Sequence, residues 1–152
     1  MLFRSSDLLI LSLEMLKYEE ILRITSIDYA EITNDQHRAV YRNHNSLVID
    51  YDNIVDGLKT GYTKRAGFCL AATSNKENYR LISIVLGVQS RIARNEIVAG
   101  MLNNYYLTLG CGPMSPKFSQ PDANPQVTTE GGLAQTLPSD VISKTVWAKQ
   151  RK

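Results

Sequence analysis

The chain is poor in the residues that build metal sites and covalent cross-links. It has two cysteines and two histidines in 152 residues. Cys69 and Cys111 form neither a metal-ligand spacing nor a disulfide framework, and Cys69 falls in an apolar strand pattern, which predicts a buried free thiol. Seventeen basic residues stand against fifteen acidic ones, a net charge of +2. That excess is too small to argue for nucleic acid or an acidic partner. No apolar run is long enough to span a bilayer. The first sixteen residues are rich in apolar side chains, but Asp7 interrupts them, Glu14 follows, and no small-residue cleavage site is visible, so no export signal is expected there. Proline is absent until Pro113. All five prolines (Pro113, Pro116, Pro121, Pro125, Pro138) fall in the last part of the chain, among glycine, serine, glutamine and threonine. No internal repeat is present. The length suits one domain with a modest core.

What is there divides at about residue 109. Up to that point the pattern is α+β. Leucines and Met15 crowd behind Ser5, Ser6 and Asp7, predicting a buried helix over about 7–17 with a serine N-cap. A short helical turn over 19–24 follows. Residues 25–32 have the β-branched and aromatic content of a strand, residues 34–36 read as a turn, and residues 39–41 return as a partner. The polar run 42–45 reads as a loop. His44 in that run is either a solvated side chain or a pocket lining, and His37 is expected to be exposed. Two strong strands follow, over about 66–73 and 79–88, joined by a turn-rich link at 74–78. The run Leu81–Leu86, apolar but for Ser83, predicts an inner strand covered on both faces by helices. A helix over about 91–107, opened by Ser90 or its neighbour, places Ile92, Ile97, Val98, Met101, Leu102 and Tyr105 on one side, lying across the hairpin. Arg80 is expected to flank its strand at the surface.

Beyond residue 110 the composition predicts a flexible tail, because it buries too little apolar surface to order itself. Val141, Ile142, Val146 and Trp147, with Lys144, Lys149, Arg151 and Lys152, make a frayed basic end. Weak membrane contact is the functional alternative, but the apolar stripe is short.

The chemistry concentrates in Val55-Asp56-Gly57-Leu58-Lys59-Thr60-Gly61-Tyr62-Thr63-Lys64-Arg65-Ala66-Gly67. Lys59-Thr60-Gly61 sets an ammonium, a hydroxyl and a bare backbone side by side. That set suits a carboxylate lying along a strand edge. Gly61 has no Cβ, so a second chain can approach closely.

The run VDGLKTGYTKRAGFCLAAT, followed by YRLISIVLG, resembles the C-terminal half of the catalytic domain of D-alanyl-D-alanine carboxypeptidases, the low-molecular-weight penicillin-binding proteins. Lys-Thr-Gly is one of three motifs shared with β-lactamases. Alone it is a weak signal; with Val-Asp-Gly before it and Tyr-Thr and Ala-Gly-Phe after it, it is specific. The resemblance covers about residues 5–106, and residues 42–45 resemble the family's Asn-rich approach to the active site. It implies part of a penicillin-binding-protein/β-lactamase-like transpeptidase domain over 1–109, with the tail over 110–152.

By the same resemblance, Lys59 supplies positive potential and assists proton movement. Thr60 hydrogen-bonds the substrate carboxylate, the Tyr62 backbone N–H completes the oxyanion hole, and Arg94 stands near the carboxylate end. A solvated helix arginine is the structural alternative for Arg94. No cofactor or metal is implied. The implied partners are a peptidoglycan stem peptide ending in D-Ala-D-Ala, and β-lactams where the domain is whole; the implied location is the cell envelope. The family's nucleophile sits in Ser-x-x-Lys. No serine in this chain has lysine three positions on, and no Ser-x-Asn occurs. The expectation is therefore a fragment that begins after the nucleophile, is inactive alone, and exposes apolar surface and an unpaired sheet edge. The alternatives are a non-catalytic carboxylate-binding module and a small α+β interaction domain.

Overall fold

A computed structural model describes residues 4–34, 37–51, 53–117 and 147–151. The chain order is α1 (Ser5–Met15), α2 (Glu19–Thr25), β1 (Tyr29–Thr33), β2 (Arg38–Arg42), α3 (Ser46–Asp50), β3 (Val55–Thr63), β4 (Gly67–Lys76), β5 (Tyr79–Val88), α4 (Arg91–Thr108) and β6 (Trp147–Arg151). The α+β class is therefore as expected. Strands β3, β4, β5 and β6 form one antiparallel sheet in that spatial order, and β1 and β2 form a separate hairpin.

The hairpin β4–β5 forms because Glu77 and Asn78 both adopt positive φ (50° and 66°). This is the backbone of a two-residue turn whose twist matches the strands. The link is thus shorter than the five residues expected, and β4 runs on to Lys76. At the other end, Thr63 Oγ1 accepts from the Ala66 N–H at 2.9 Å and closes the β3–β4 turn. Gly67 there has φ +69°, and a Cβ on it would lie 2.9 Å from the Val88 carbonyl oxygen, so glycine is required.

The sheet has two faces, set by strand alternation. Under α4, Leu70, Ala72, Leu81 and Val85 meet Val98, Leu102 and Tyr106, all buried. Buried helix positions recur every four residues from Arg94, so the stripe is centred on 94-98-102-106. Ile92, expected in that stripe, is 68% exposed, while Ile97, Met101 and Tyr105 flank it. Ser90 caps α4 as expected, accepting from the Ala93 N–H at 3.0 Å. Tyr106 donates to the Tyr79 carbonyl at 3.1 Å and shares a 2.8 Å hydrogen bond with Ser74 Oγ. Burial pushes its hydroxyl up to about 12.

On the opposite face Ile82 and Ile84 are buried, and α1 packs against β5. The inner strand is thus covered on both sides by helices. Two expectations for α1 fail. It starts at Ser5 with Arg4 as N-cap, because Asp7 Oδ2 accepts from the Arg4 N–H at 2.8 Å and fixes the first turn. It is also not buried all round: Ser12 is its buried residue, while Ile10 and Leu11 are 69% and 55% exposed. A helix with apolar residues on every side buries only the side that meets the sheet.

The strand expected from residue 25 begins at Tyr29. Helix α2 keeps Thr25, whose hydroxyl lies 2.8 Å from the Asp56 carbonyl it donates to. Helix α3, not foreseen, is nucleated by Asn45, whose Oδ1 accepts from the Leu47 N–H at 3.3 Å. Cys69 is half-buried, and Cys111 is the buried thiol. Of the tail expected over 110–152, Cys111 and Met114 are buried in the core and the backbone at Trp147–Arg151 pairs with β5, while residues 118–146, which carry most of the membrane-contact expectation, lie outside the described residues. Among the described residues no helix is long and apolar enough to cross a membrane.

Candidate carboxylate-binding site

Strand β3 carries the motif, and its two halves are treated differently by the fold. The inner half, Val55–Leu58, is fixed. Asp56 accepts from Arg80 Nη1 at 2.7 Å and from Thr73 Oγ1 at 2.6 Å. Arg80 is therefore not a free surface residue; its side chain is 13% exposed in this ion pair. The Asp56 carbonyl takes the Thr25 hydroxyl, and the Gly57 carbonyl takes Asn45 Nδ2 at 3.0 Å. A Cβ at Gly57 would stand 2.6 Å from Thr25 Oγ1, so glycine is demanded by the packing. The Gly57–Leu58 peptide is cis, and the register with β4 shifts between Val55 and Gly57.

The outer half, Lys59–Thr63, is partly buried at Thr60 and exposed elsewhere. β3 is the end strand of the sheet, so one of its edges has no strand beside it among the described residues. Lys59 Nζ donates to the Thr60 carbonyl at 2.6 Å. Gly61 has only Cys69 Cβ near the place a Cβ would take, at 3.9 Å, so nothing in the fold itself asks for glycine there. The Tyr62 ring leans on Phe68 across the strand pair, with centroids 4.2 Å apart.

Beside this half lies a cleft of about 250 Å³. One wall is Leu58, Lys59 and Thr60; the other is residues 42–45. Lysine and threonine thus share a hollow with His44, which is exposed and lines it. Two larger hollows, of about 360 Å³ between α3 and α4 and about 420 Å³ beside the β1–β2 hairpin, do not include Lys59 or Thr60. The small cleft is the one with the chemistry: two cations, a hydroxyl and, among the described residues, no carboxylate in its lining.

Arg94 is elsewhere. It is 2% exposed, so it is not a solvated helix arginine. Its Nε and Nη2 donate to Asn95 Oδ1 at 3.0 and 2.7 Å, and Nη1 to the Cys69 carbonyl at 3.4 Å. Cys69 is the register partner of Gly61, which places the guanidinium one strand behind the motif and outside the cleft wall. Burial lowers its affinity for the proton relative to a free guanidinium. Asn95 in turn donates to Ser46 Oγ at 2.6 Å, joining α4 to α3. Sequence reasoning missed Asp56, Thr73 and Asn45 as supports. The one signal available was that an acid, a threonine and an arginine lay on strands about to be paired. Among the described residues no group of three or more His, Cys, Asp or Glu is placed to hold a metal ion.

An exposed Lys-Thr-Gly end strand, packed through the sheet onto a long helix, is the layout of a penicillin-binding α+β domain. The D-alanyl-D-alanine carboxypeptidase family profile matches residues 3–90, and the chain belongs to that family. It is 39% identical over 99 residues to D-alanyl-D-alanine carboxypeptidase DacF of Bacillus subtilis, covering 64% of this chain and 25% of that protein. It is 40% identical over 68 residues to DacD of Escherichia coli, covering 45% of this chain and 18% of the relative. Among solved structures, penicillin-binding protein 6B of E. coli aligns with TM-score 0.55 and 34% identity, covering 63% of this chain and 29% of that one. Penicillin-binding protein D2 of Listeria monocytogenes in its cefotaxime-bound form aligns with TM-score 0.50 and 33% identity, covering 60% and 37%. The chain spans about a quarter of the length of the first of these relatives.

Proposed function

We propose that the outer half of β3 is the carboxylate-gripping rim of a D-Ala-D-Ala carboxypeptidase site, and that its ligand is a peptidoglycan stem peptide ending in D-Ala-D-Ala. The reading rests on one observation above the rest: Lys59 and Thr60 line a cleft that, among the described residues, holds no carboxylate and lies beside the open edge of an end strand. A peptide adding along that edge takes main-chain hydrogen bonds, while the ammonium and hydroxyl meet its terminal carboxylate. Gly61 leaves room for the incoming backbone. The Tyr62 N–H serves the oxyanion hole of an acyl-transfer step, and the buried Arg94 adds positive potential from behind. In the complete reaction a serine attacks the penultimate carbonyl, the last D-alanine leaves, and water hydrolyses the acyl-enzyme. The residues of this chain supply binding and charge to that sequence of steps; with neither Ser-x-x-Lys nor Ser-x-Asn present, they do not supply the attacking oxygen. Lys59 assists proton movement there but forms no acyl-enzyme by itself. β-Lactams would occupy the same rim, and the cell envelope is where such a substrate is met.

Titration of the chain with an N-acetylated peptide ending in D-Ala-D-Ala tests this. The wild type should bind and Lys59→Ala should lose about tenfold or more in affinity, the scale of one charge-assisted hydrogen bond. A fluorescent penicillin should leave no covalent label. Equal affinity in both proteins, or stoichiometric labelling, would remove the reading.

A further inference from the structure

The four-stranded sheet ends differently on its two sides. At one end, among the described residues, β3 keeps an open edge along the motif. At the other end β6 stands beyond β5. Left bare, β5 would pair readily. It runs ten residues from Tyr79 to Val88, and Leu81, Ile82, Ile84 and Val85 are all buried. A long apolar strand with an unpaired row of backbone N–H and C=O groups is a template for another chain. The backbone at Trp147–Arg151 covers half of that row, antiparallel, with Trp147 opposite Ser83 and Arg151 opposite Tyr79. β6 itself is a poor template. It is five residues long and its sequence carries Lys149 and Arg151, and short basic strands blunt an edge. The other half of β5 is guarded by its own backbone. Gly87 has φ +77°, and the register with β4 shifts between Phe68 and Leu70, where β5 carries the extra residue. A bulge of this kind bends the strand and increases its twist, turning the edge away from a flat partner.

We infer that the outer edge of β5 is a strand-binding surface held by the chain's own Trp147–Arg151, and that a second copy of the chain pairs there when this segment is withdrawn. Two copies of one strand pair antiparallel about a two-fold axis, so β5 is complementary to itself. The pairing with β6 shows that this edge takes an antiparallel partner. With donor and acceptor in one chain the pairing is intramolecular, and it outcompetes a second copy at ordinary concentrations. β4 lies between this edge and the motif strand, so strand pairing here and ligand binding at the cleft can be measured separately.

The experiment compares the wild-type chain with the full-length double variant Ala148→Pro, Lys149→Pro. Proline has no N–H, and consecutive N–H groups of a strand point to opposite edges, so one of the two substitutions removes a donor to β5 whichever way the ladder is phased. Sedimentation velocity over about 10 to about 100 μM should show a wild-type monomer and a variant whose mass rises to a dimer or beyond. A labelled synthetic peptide of residues 145–152 should bind the variant at least about tenfold more tightly than the wild type, and an excess should return the variant to monomer. In the wild type, amide exchange over 147–151 should run at least about tenfold slower than in that peptide free in solution. Exchange at the free-peptide rate overturns the inference whether or not the variant folds. A variant that stays monomeric with the wild-type circular dichroism spectrum, association that the peptide does not reverse, or a wild type that associates as strongly as the variant overturns it as well.

Discussion

The two halves of β3 are one continuous strand with opposite relations to the rest of the molecule. Asp56 and Gly57 have their carboxylate and both carbonyls taken by Arg80, Thr73, Thr25 and Asn45. Among the described residues Lys59 to Thr63 have an open edge, and the Lys59 ammonium donates to the neighbouring carbonyl of Thr60. Polar satisfaction is thus concentrated just upstream of the motif. The division suggests how a short exposed tripeptide is kept in register: its geometry is set by the segment before it, which leaves its own polar groups available to a ligand.

The sharpest way to break that division is at the inner glycine. Gly57→Ala places a methyl carbon 2.6 Å from Thr25 Oγ1. Either the backbone shifts or Thr25 gives up the Asp56 carbonyl. Overpacking together with a lost hydrogen bond predicts about 2–4 kcal/mol of destabilisation, read as a lower urea midpoint at unchanged slope. A change under about 0.5 kcal/mol, the range of an ordinary surface substitution, would mean that the inner half is softer than its contacts suggest.

How much of this was legible beforehand follows from what each signal encodes. The β4–β5 hairpin and α4 were readable because their apolar patterns are long and periodic, and a period needs no knowledge of partners. The motif strand was readable as chemistry from Lys59, Thr60 and Gly61. Its supports were not, since the Asp56–Arg80 pair spans 24 residues of sequence and exists only through strand register. Helix α3 was missed because five residues carry too short a period, and the cue was one asparagine cap. The exposure of Ile10 and Leu11 on α1 was hidden for a related reason: apolar density does not say which side of a helix meets the sheet.

The core behind the inner half provides the next comparison, this time with pH. Val55 pairs with Ser74, and Ser74 shares a hydrogen bond with the buried Tyr106 hydroxyl. Burial raises that hydroxyl from the ordinary tyrosine value to about 12. In the unfolded chain it ionises near roughly pH 10. Below that pH both states hold the proton and the stabilisation is complete. Between about pH 10 and about pH 12 the unfolded state sheds the proton first, so stability falls as pH rises. Two pH units correspond to about 2–3 kcal/mol. Tyr106→Phe should lower stability at neutral pH by about 1 kcal/mol and flatten this part of the alkaline limb. An alkaline limb identical in the two proteins would place the titrating group elsewhere.

The smallest effect on stability, and the most informative for function, belongs to the outer glycine. A Cβ at Gly61 meets Cys69 Cβ at 3.9 Å, an ordinary contact, and the residue does not have a positive φ that would strain alanine. Gly61→Ala should therefore move the urea midpoint by less than about 0.5 kcal/mol, with a slight gain as reasonable as a loss, because alanine restricts the unfolded chain more than glycine does. The same methyl stands where an incoming peptide backbone would lie against the strand. Peptide affinity should fall by about tenfold while the melt stays put. The pairing with Gly57→Ala makes the test discriminating: two glycines four residues apart, one substitution read in folding and the other in binding. If Gly61→Ala destabilised the fold as much as Gly57→Ala, the outer half would be part of the packed structure and its bare backbone would need no ligand to account for it. If it left both stability and peptide affinity untouched, the peptide would have to lie somewhere other than along this edge.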